Sequence, residues 1–274
     1  MPKVILKPAH AEAKTVTEEA MLILRKGRYA ARIAESACGV ERAQRLRHEA
    51  FIAGRSGATP RPGGLDADSF DARCQHMLIE ECDSGAAVGC FRLMPIRSGA
   101  DIAASYSAQH YDLTRLAGFD GPMMEMGRFC IHPDRSDDPD ILRLAWAALA
   151  RFVDDEGVEM LFGCSSFDGM EADRHLDALA LLTHRHLAPR RWLPRVKSPR
   201  VFRFAQRLRD RKPDARRAML RMPPLLRSYL AMGGWVSDHA VIDPDLNTLH
   251  VFTGLEIRAI PPARARLLRA SAAA

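Results

Sequence analysis

The segment Met124-Glu125-Met126-Gly127-Arg128-Phe129-Cys130-Ile131, with the helix and strand signals behind it, constrains this chain more than any other stretch. It reads as a buried strand that carries two charges, Glu125 and Arg128. Burying a charge is costly unless it is paired or used. Side chains alternate faces along a strand, so residues three apart point to opposite sides unless a bulge re-aims one. A functional site and a structural ion pair both answer that requirement. Next, Asp138 can cap a helix over residues 139–156, with Pro139 at its first position and Ile141, Ala145, Ala148, Leu149 and Phe152 as its core stripe. Gly157 ends it, and residues 158–164 read as another strand. Strand, helix, strand is a crossover between parallel strands.

Upstream the pattern is antiparallel. Residues 27–35 alternate as a first strand, and residues 40–52 have helical periodicity through Val40, Ala43, Leu46, Ala50 and Phe51. Residues 53–64 hold four Gly and two Pro and predict a loop. Residues 68–73 lead into a strand at 76–82. The turn Asp83-Ser84-Gly85 joins it to a second strand at 87–94. A long loop follows, then the Glu125 strand. Residues 171–184 form a later helix. Hairpins ahead of a crossover predict an α+β fold with a mixed central sheet flanked by helices.

With 274 residues and 47% hydrophobic content, the chain can bury one large core or a core plus a subdomain. No apolar run approaches the roughly 20 residues that span a bilayer. Residues 1–14 lack a signal-peptide stretch. Six scattered cysteines without a CxxC pair argue against a zinc site or disulfide framework and for a reducing cytosol. The expected location is cytoplasmic, either free or peripheral on the inner face of the cytoplasmic membrane.

The net charge of +6 hides an asymmetry. Residues 190–217 contain twelve Lys or Arg against Asp210 and Asp214, a local net of +10, so the remainder sums to −4. Trp192, Phe202 and Phe204 interleave with these charges. Such a run can be a solvated face, but its density favours an anionic partner: nucleic acid, an acidic carrier protein or anionic phospholipid.

Taken together, Arg47, Phe51, Asp68-Ser69-Phe70-Asp71, Arg92-Leu93 and Glu125-Met126-Gly127-Arg128-Phe129 resemble the acyl-homoserine-lactone synthases. More closely, the chain resembles the bacterial ornithine-lipid N-acyltransferases, another branch of the GCN5-related acyltransferase fold. That match rests on Ala43-Gln44-Arg45-Leu46-Arg47, the run from Phe70 to Ile79, Gly163-Cys164-Ser165-Ser166-Phe167 and Met222-Pro223-Pro224-Leu225-Leu226. It continues through Ala240-Val241-Ile242-Asp243 and Leu246-Asn247-Thr248, so it covers roughly residues 27–255. Each motif is weak alone; their order and spacing are specific. The resemblance implies N-acylation of ornithine's α-amine by a 3-hydroxyacyl group from acyl carrier protein, giving a lyso-ornithine lipid. Lactone synthesis and non-enzymatic nucleic-acid binding are the alternatives; the motifs from Met222 to Thr248 weigh against the first, and the absence of a recognised nucleic-acid module against the second. The expected division is an N-terminal extension (1–26), a GCN5-like core (27–205) and a C-terminal extension for acyl chain and carrier (206–274).

Coenzyme A-dependent members of the fold place a Gly-rich turn after the central strand, where backbone N–H groups bind pyrophosphate. Here residues 132–140 contain no glycine and four aspartates, a poor cradle for phosphates. A phosphopantetheine arm on a carrier protein has no pyrophosphate bridge. The expectation is therefore no bound cofactor, with the acyl donor carried as phosphopantetheine on acyl carrier protein. Arg203, Arg207 and Arg211 are the candidate docking residues.

Acylation of an amine needs a base, because ornithine's amino groups are mainly protonated near pH 7. It also needs donors for the thioester oxygen and close placement of the two reactants. Glu125 is the candidate base, directly or through water. Arg128 is expected to pair with a carboxylate, the substrate's or Glu125 itself. Arg92, Asp68 and Asp71 are candidates for the amino-acid site, and Arg47 for the same site or as a structural partner of an aspartate.

Other residues carry less. Cys130 without a partnered histidine reads as packing. Ser165-Ser166 lacks the spacing of a hydrolase elbow. His175, His184 and His186 show no metal-site arrangement. Met123, Met124 and Met126 suit a core or an acyl chain. Pro223-Pro224 can start a helix through Ala231, ended by Gly233-Gly234, in an apolar stretch beside the basic run. That juxtaposition suits packing at an acyl tunnel and transient contact with an anionic membrane. Residues 263–274 are expected to be a loosely ordered tail.

Overall fold

A computed structural model of the chain describes residues 20–53 and 61–273. The expected polar N-terminus (1–14) and most of the Gly/Pro-rich loop lie outside these residues. The strands are β1 (Ala20–Lys26), β2 (Tyr29–Ala34), β3 (Gln75–Glu81), β4 (Ala87–Ile96), β5 (Tyr111–Asp112), β6 (Met123–Ile131), β7 (Met160–Asp168), β8 (Arg195–Val196), β9 (Val201–Phe202), β10 (Trp235–Asp243) and β11 (Thr248–Glu256). The helices are α1 (Ala37–Phe51), α2 (Pro139–Asp155), α3 (Leu176–Arg185), α4 (Phe204–Arg207), α5 (Ala215–Arg221), α6 (Pro224–Ala231) and α7 (Pro262–Ala273).

Nine strands form one sheet in the order β1-β2-β3-β4-β6-β7-β11-β10-β9. Every neighbouring pair is antiparallel except β6 and β7, which the α2 crossover makes parallel. Helix α2 forms as the sequence requires: Asp138 accepts a hydrogen bond from the Asp140 N–H at 2.9 Å, Pro139 occupies the first turn, and Gly157 leaves with φ +62°. Its stripe from Ile141 to Phe152 buries against Met124, Met126 and Leu161 on one face of the sheet. Helices α3, α4 and α5 pack further along this face, over Phe167, Leu249 and Val251. The opposite face carries α1 over Leu78, Cys90 and Cys130.

Several expectations change. The first strand is residues 20–26; Gly27, at φ +56°, sits in the tight turn to β2 rather than opening a strand. A boundary at 26/27 therefore falls inside a hairpin. Likewise, β10 and β11 from the expected C-terminal extension pair with β7 in the central sheet, because β7 needs a partner on its outer edge. The long loop before β6 is built from 3-10 turns that bury Ile102, Leu116 and Phe119. The expected loose tail is α7, packed on α2 through Leu268 and the Arg269–Asp154 ion pair at 2.8 Å.

Candidate active site

Strands β6 and β7 pair only at Met123↔Met160, Met124↔Leu161 and Glu125↔Phe162, then splay. Beyond Glu125 the β6 backbone has no β7 ladder to bond to. Gly163 borders this fork: a Cβ there would lie 2.2 Å from the Met126 carbonyl oxygen, so no larger residue fits without moving a strand. A cavity of about 600 Å³ fills the fork and is lined by residues from both faces of the sheet. One side is apolar, lined by Phe129, Ile131, Leu142 and Leu225; the other presents Arg92, Tyr106, Glu125, Arg128, Asp243 and His250.

A bulge makes that division possible. Arg92 pairs with Gly127 and Cys90 with Cys130, so β6 has one extra residue opposite Phe91. Arg128 takes φ +54°, rare outside glycine. Parity switches there: Met124 and Met126 face α2 before the bulge, Phe129 and Ile131 after it. Glu125 and Arg128 consequently share the other face.

They are not paired with each other. Glu125 is 4% exposed and accepts three hydrogen bonds: the Ser107 N–H (2.7 Å) and hydroxyl (2.5 Å) at Oε1, and the Tyr106 N–H (2.7 Å) at Oε2. Burial pushes its carboxyl above the ordinary range, and the bonds from Ser107 and Tyr106 and the Arg92 charge offset this only in part. Arg128 is held by Asp66 (Nε to Oδ2, 3.0 Å) and Asp68 (Nη2 to Oδ2, 3.2 Å), with its guanidinium 5.1 Å from the Tyr106 ring centre. Of the two partners expected for Arg128, Glu125 gives way to these aspartates, while the 106–107 turn holds the Glu125 carboxylate. Burial disfavours the Arg128 charge, but Tyr106, Asp66 and Asp68 outweigh it and the group titrates above its ordinary range.

The other predicted residues form a shell behind this wall. Arg47, 1% exposed, grips Asp71 with both nitrogens, Nη1 to Oδ1 at 2.9 Å and Nη2 to Oδ2 at 2.8 Å, and its Nε lies 3.2 Å from Asp66. Arg92 donates from Nη1 to Asp68 (2.6 Å) and Asp71 (2.8 Å). Burial raises the Asp71 carboxyl, yet Arg47, Arg92 and Gln44 overcome this and hold it well below the usual carboxylate range. Three arginines and three aspartates thus neutralise one another. Arg92 and Arg128 border the cavity, whereas Arg47 and Asp71 do not. Sequence reading missed Asp66, although Asp66, Asp68 and Asp71 crowd six residues, and it missed Tyr106 and Ser107, which sit in an aperiodic loop.

Cys130 reaches the cavity, but its thiol lies 3.4 Å from Cys90 Sγ, and that contact with burial pushes it far above the reactive range. Ser165 accepts from Thr253 at 2.9 Å, and His175 and His184 each have a ring nitrogen 2.9 Å from a backbone carbonyl. Among the described residues, no His/Cys/Asp/Glu cluster could hold a metal ion.

At the N-terminus of α2, Asp138 accepts the Asp140 N–H at 2.9 Å and is bound by Tyr29 at 2.8 Å and by Arg28. A carboxylate therefore occupies the place where a helix would hold a phosphate. All twelve basic residues of the 190–217 run are exposed. Arg203 precedes α4, Arg207 lies over the Phe202 ring (5.4 Å to its centre), and Arg211 pairs with Asp177 at 3.0 Å. On α5, Met219 and Leu220 are 46% and 76% exposed beside exposed Arg216, Arg217 and Arg221. No helix among the described residues is long and apolar enough to cross a membrane.

The chain is similar to several known proteins. A family model described as an acetyltransferase (GNAT) domain matches residues 46–146, from α1 through the bulged strand into α2. The L-ornithine N(alpha)-acyltransferase of Rhodobacter capsulatus is 34% identical over 240 residues, covering 85% of this chain and 91% of that protein. The protein of the same name from Brucella abortus is 29% identical over 253 residues, covering 88% of this chain and 89% of its own. Among solved structures, a CoA-dependent acyl-homoserine lactone synthase aligns at 18% identity with a TM-score of 0.46, over 86% of this chain and 83% of that one. The mixed sheet with flanking helices is a GCN5-related acyltransferase fold.

Proposed function

The chain belongs to the L-ornithine N(alpha)-acyltransferase family, and from that premise we propose that it transfers a 3-hydroxyacyl group to the α-amine of ornithine, forming a lyso-ornithine lipid. The observation that carries this reading is the fork between β6 and β7. An acyl thioester fits its apolar side, along Phe129, Ile131 and Leu142, while the amino acid occupies the polar side beside Glu125 and Arg128.

In the proposed reaction Glu125 takes a proton from the ammonium, directly or through water, and the freed amine attacks the thioester carbonyl. Unpaired β6 backbone at the bulge supplies N–H groups to the oxyanion. Collapse forms the amide and releases the thiol. Arg92 and Arg128 offer guanidinium N–H donors on the polar wall to the substrate carboxylate, while Asp66, Asp68, Asp71 and Arg47 keep both arginines in place.

Acyl carrier protein is the proposed donor. Its support is the acid-capped start of α2, which disfavours the pyrophosphate of coenzyme A, and the exposed basic run, including Arg203, Arg207 and Arg211, as a dock for an acidic carrier. Exposed Leu220 and Met219 among arginines support peripheral contact with an anionic membrane surface, where a lipid product can leave. Incubating the pure enzyme with 3-hydroxyacyl carrier protein and single amino acids, then reading products by mass spectrometry, tests the reaction. Acylornithine is the expected product; its absence, with folded protein, rejects the reading.

A further inference from the structure

The wall of the cavity formed by β10 and β11 carries three acceptors that the reaction above does not use. Asp243 lies opposite Thr248 in the hairpin register, and His250 follows two residues on, so the three side chains share one face. It is the face of Glu125: Val241 and Phe252, of the same parity, pack with Met123 and Phe162. All three residues border the cavity.

Each has acceptor capacity to spare. Asp243, 8% exposed, accepts the Asp245 N–H (3.0 Å) and Leu246 N–H (3.3 Å) at Oδ1, and no lysine or arginine among the described residues pairs with its carboxylate. Thr248 Oγ1 and His250 Nε2 are buried without a hydrogen-bond partner. The Tyr111 hydroxyl donates to the His250 carbonyl oxygen at 2.8 Å and lies 3.1 Å from His250 Nδ1. With that proton committed to the carbonyl, Nδ1 bears the ring hydrogen and Nε2 the lone pair, a tautomer assigned from the network. Burial, with His110 and His239 nearby, lowers the ring to about 3, so it is neutral at neutral pH.

An ammonium has three donors and no acceptor. A carboxylate and two neutral acceptors match it in number and charge; an anion would face the Asp243 carboxylate and the His250 lone pair with only the Thr248 hydroxyl to donate, and an apolar group would leave buried polar atoms unpaired. We propose that Asp243, Thr248 and His250 bind the side-chain ammonium of the acceptor, so that the enzyme selects a diamino acid and turns its α-amine toward Glu125. This specificity rests on the ornithine reading.

The test compares ornithine with norleucine, in which a methyl group replaces the side-chain ammonium. Wild-type enzyme should favour ornithine in kcat/KM by at least roughly 10²-fold, as for sites built around a substrate's polar group. Asp243→Asn keeps the Oδ1 acceptor for the turn and removes the charge. It should lower kcat/KM for ornithine about 10²-fold and change norleucine far less, collapsing the ratio. Thr248→Val should act in the same direction with a smaller fall, and thermal melts establish that both variants fold. Equal use of the two amino acids by wild type, or an unchanged ratio in folded Asp243→Asn, overturns this inference while leaving acyl transfer standing. A wild-type enzyme that acylates neither rejects the ornithine reading itself and this specificity with it.

Discussion

Glu125 and Arg128 stand on the same face of β6 although three residues separate them, because the bulge opposite Phe91 adds a residue at Arg128. Neither charge neutralises the other. Glu125 is held by the 106–107 turn and Arg128 by Asp66 and Asp68, so the polar wall keeps a carboxylate and a guanidinium side by side with separate supports. An ordinary strand would have sent one of them to the α2 side of the sheet.

Replacing Glu125 tests the base. Glu125→Gln should lower kcat by roughly 10²–10⁴-fold. The amide nitrogen donates and cannot accept, so the donor or donors at that position, from Tyr106 or from Ser107, lose their acceptor, with a stability loss of about 1–3 kcal/mol. Near-normal turnover would sink the base assignment.

Ser107→Ala gives the sign of the pH dependence. The Ser107 hydroxyl favours the charged form of Glu125, so its loss raises an already elevated carboxyl pKa further. The base is active when deprotonated, so the acidic limb of the kcat/KM profile should move to higher pH. A limb that stays in place or moves down assigns it to another group.

Arg47 is expected to contribute to stability rather than chemistry, since it grips Asp71 and does not border the cavity. Arg47→Met should destabilise the fold by about 3–5 kcal/mol, because it strips Asp71 of its two-pronged partner and leaves two arginines, Arg92 and Arg128, against three aspartates in the cluster. Arg47→Lys should recover little of this, since an ammonium cannot reproduce the two-pronged grip on Asp71. The Asp71 carboxyl is depressed in the folded protein, so its contribution is full above the unfolded carboxylate range, about pH 4, and falls away as pH drops toward the folded value. Asp71→Asn should therefore flatten the acid side of a stability-against-pH curve, measured by denaturant titration.

The donor is tested by kcat/KM for one acyl group on carrier protein and on coenzyme A. Carrier protein should be preferred; equal or better use of acyl-coenzyme A means that the acidic cap of α2 does not exclude the nucleotide.

Reversing Arg203, Arg207 and Arg211 to Glu should weaken carrier association and raise KM for the carrier, with kcat at saturation changed much less. Salt should weaken wild-type binding in the same sense, since exposed charges are screened over about 8 Å at physiological ionic strength. Loss of the exposed Arg211–Asp177 pair should cost at most about 1 kcal/mol of stability. Leu220→Ser should instead reduce binding to anionic vesicles while leaving kinetics with soluble carrier intact. Should the triple reversal alter neither carrier kinetics nor vesicle binding, the run is a solvated face.

Sequence alone determined the elements whose causes are local. The cap at Asp138, the stripe of α2 and the Gly157 stop are short-range effects, and the strand–helix–strand order forced a parallel β6–β7 pair. It also singled out Glu125 and Arg128, because charges in an apolar strand demand partners, and the motifs that resemble the acyltransferase family added Arg92, Asp68, Asp71 and Arg47. Which partner each one takes was a tertiary decision. A bulge is set by the register of two strands, and no periodicity in residues 124–131 reveals that Arg128 turns to the Glu125 side. Tyr106 and Ser107 come from a loop without pattern, and Asp243, Thr248 and His250 from a hairpin more than a hundred residues further along the chain. Their meeting depends on β11 pairing with β7 across the sheet, a long-range contact that local preferences do not encode. The charges of the site are written in the sequence; the face on which they meet is set by sheet register.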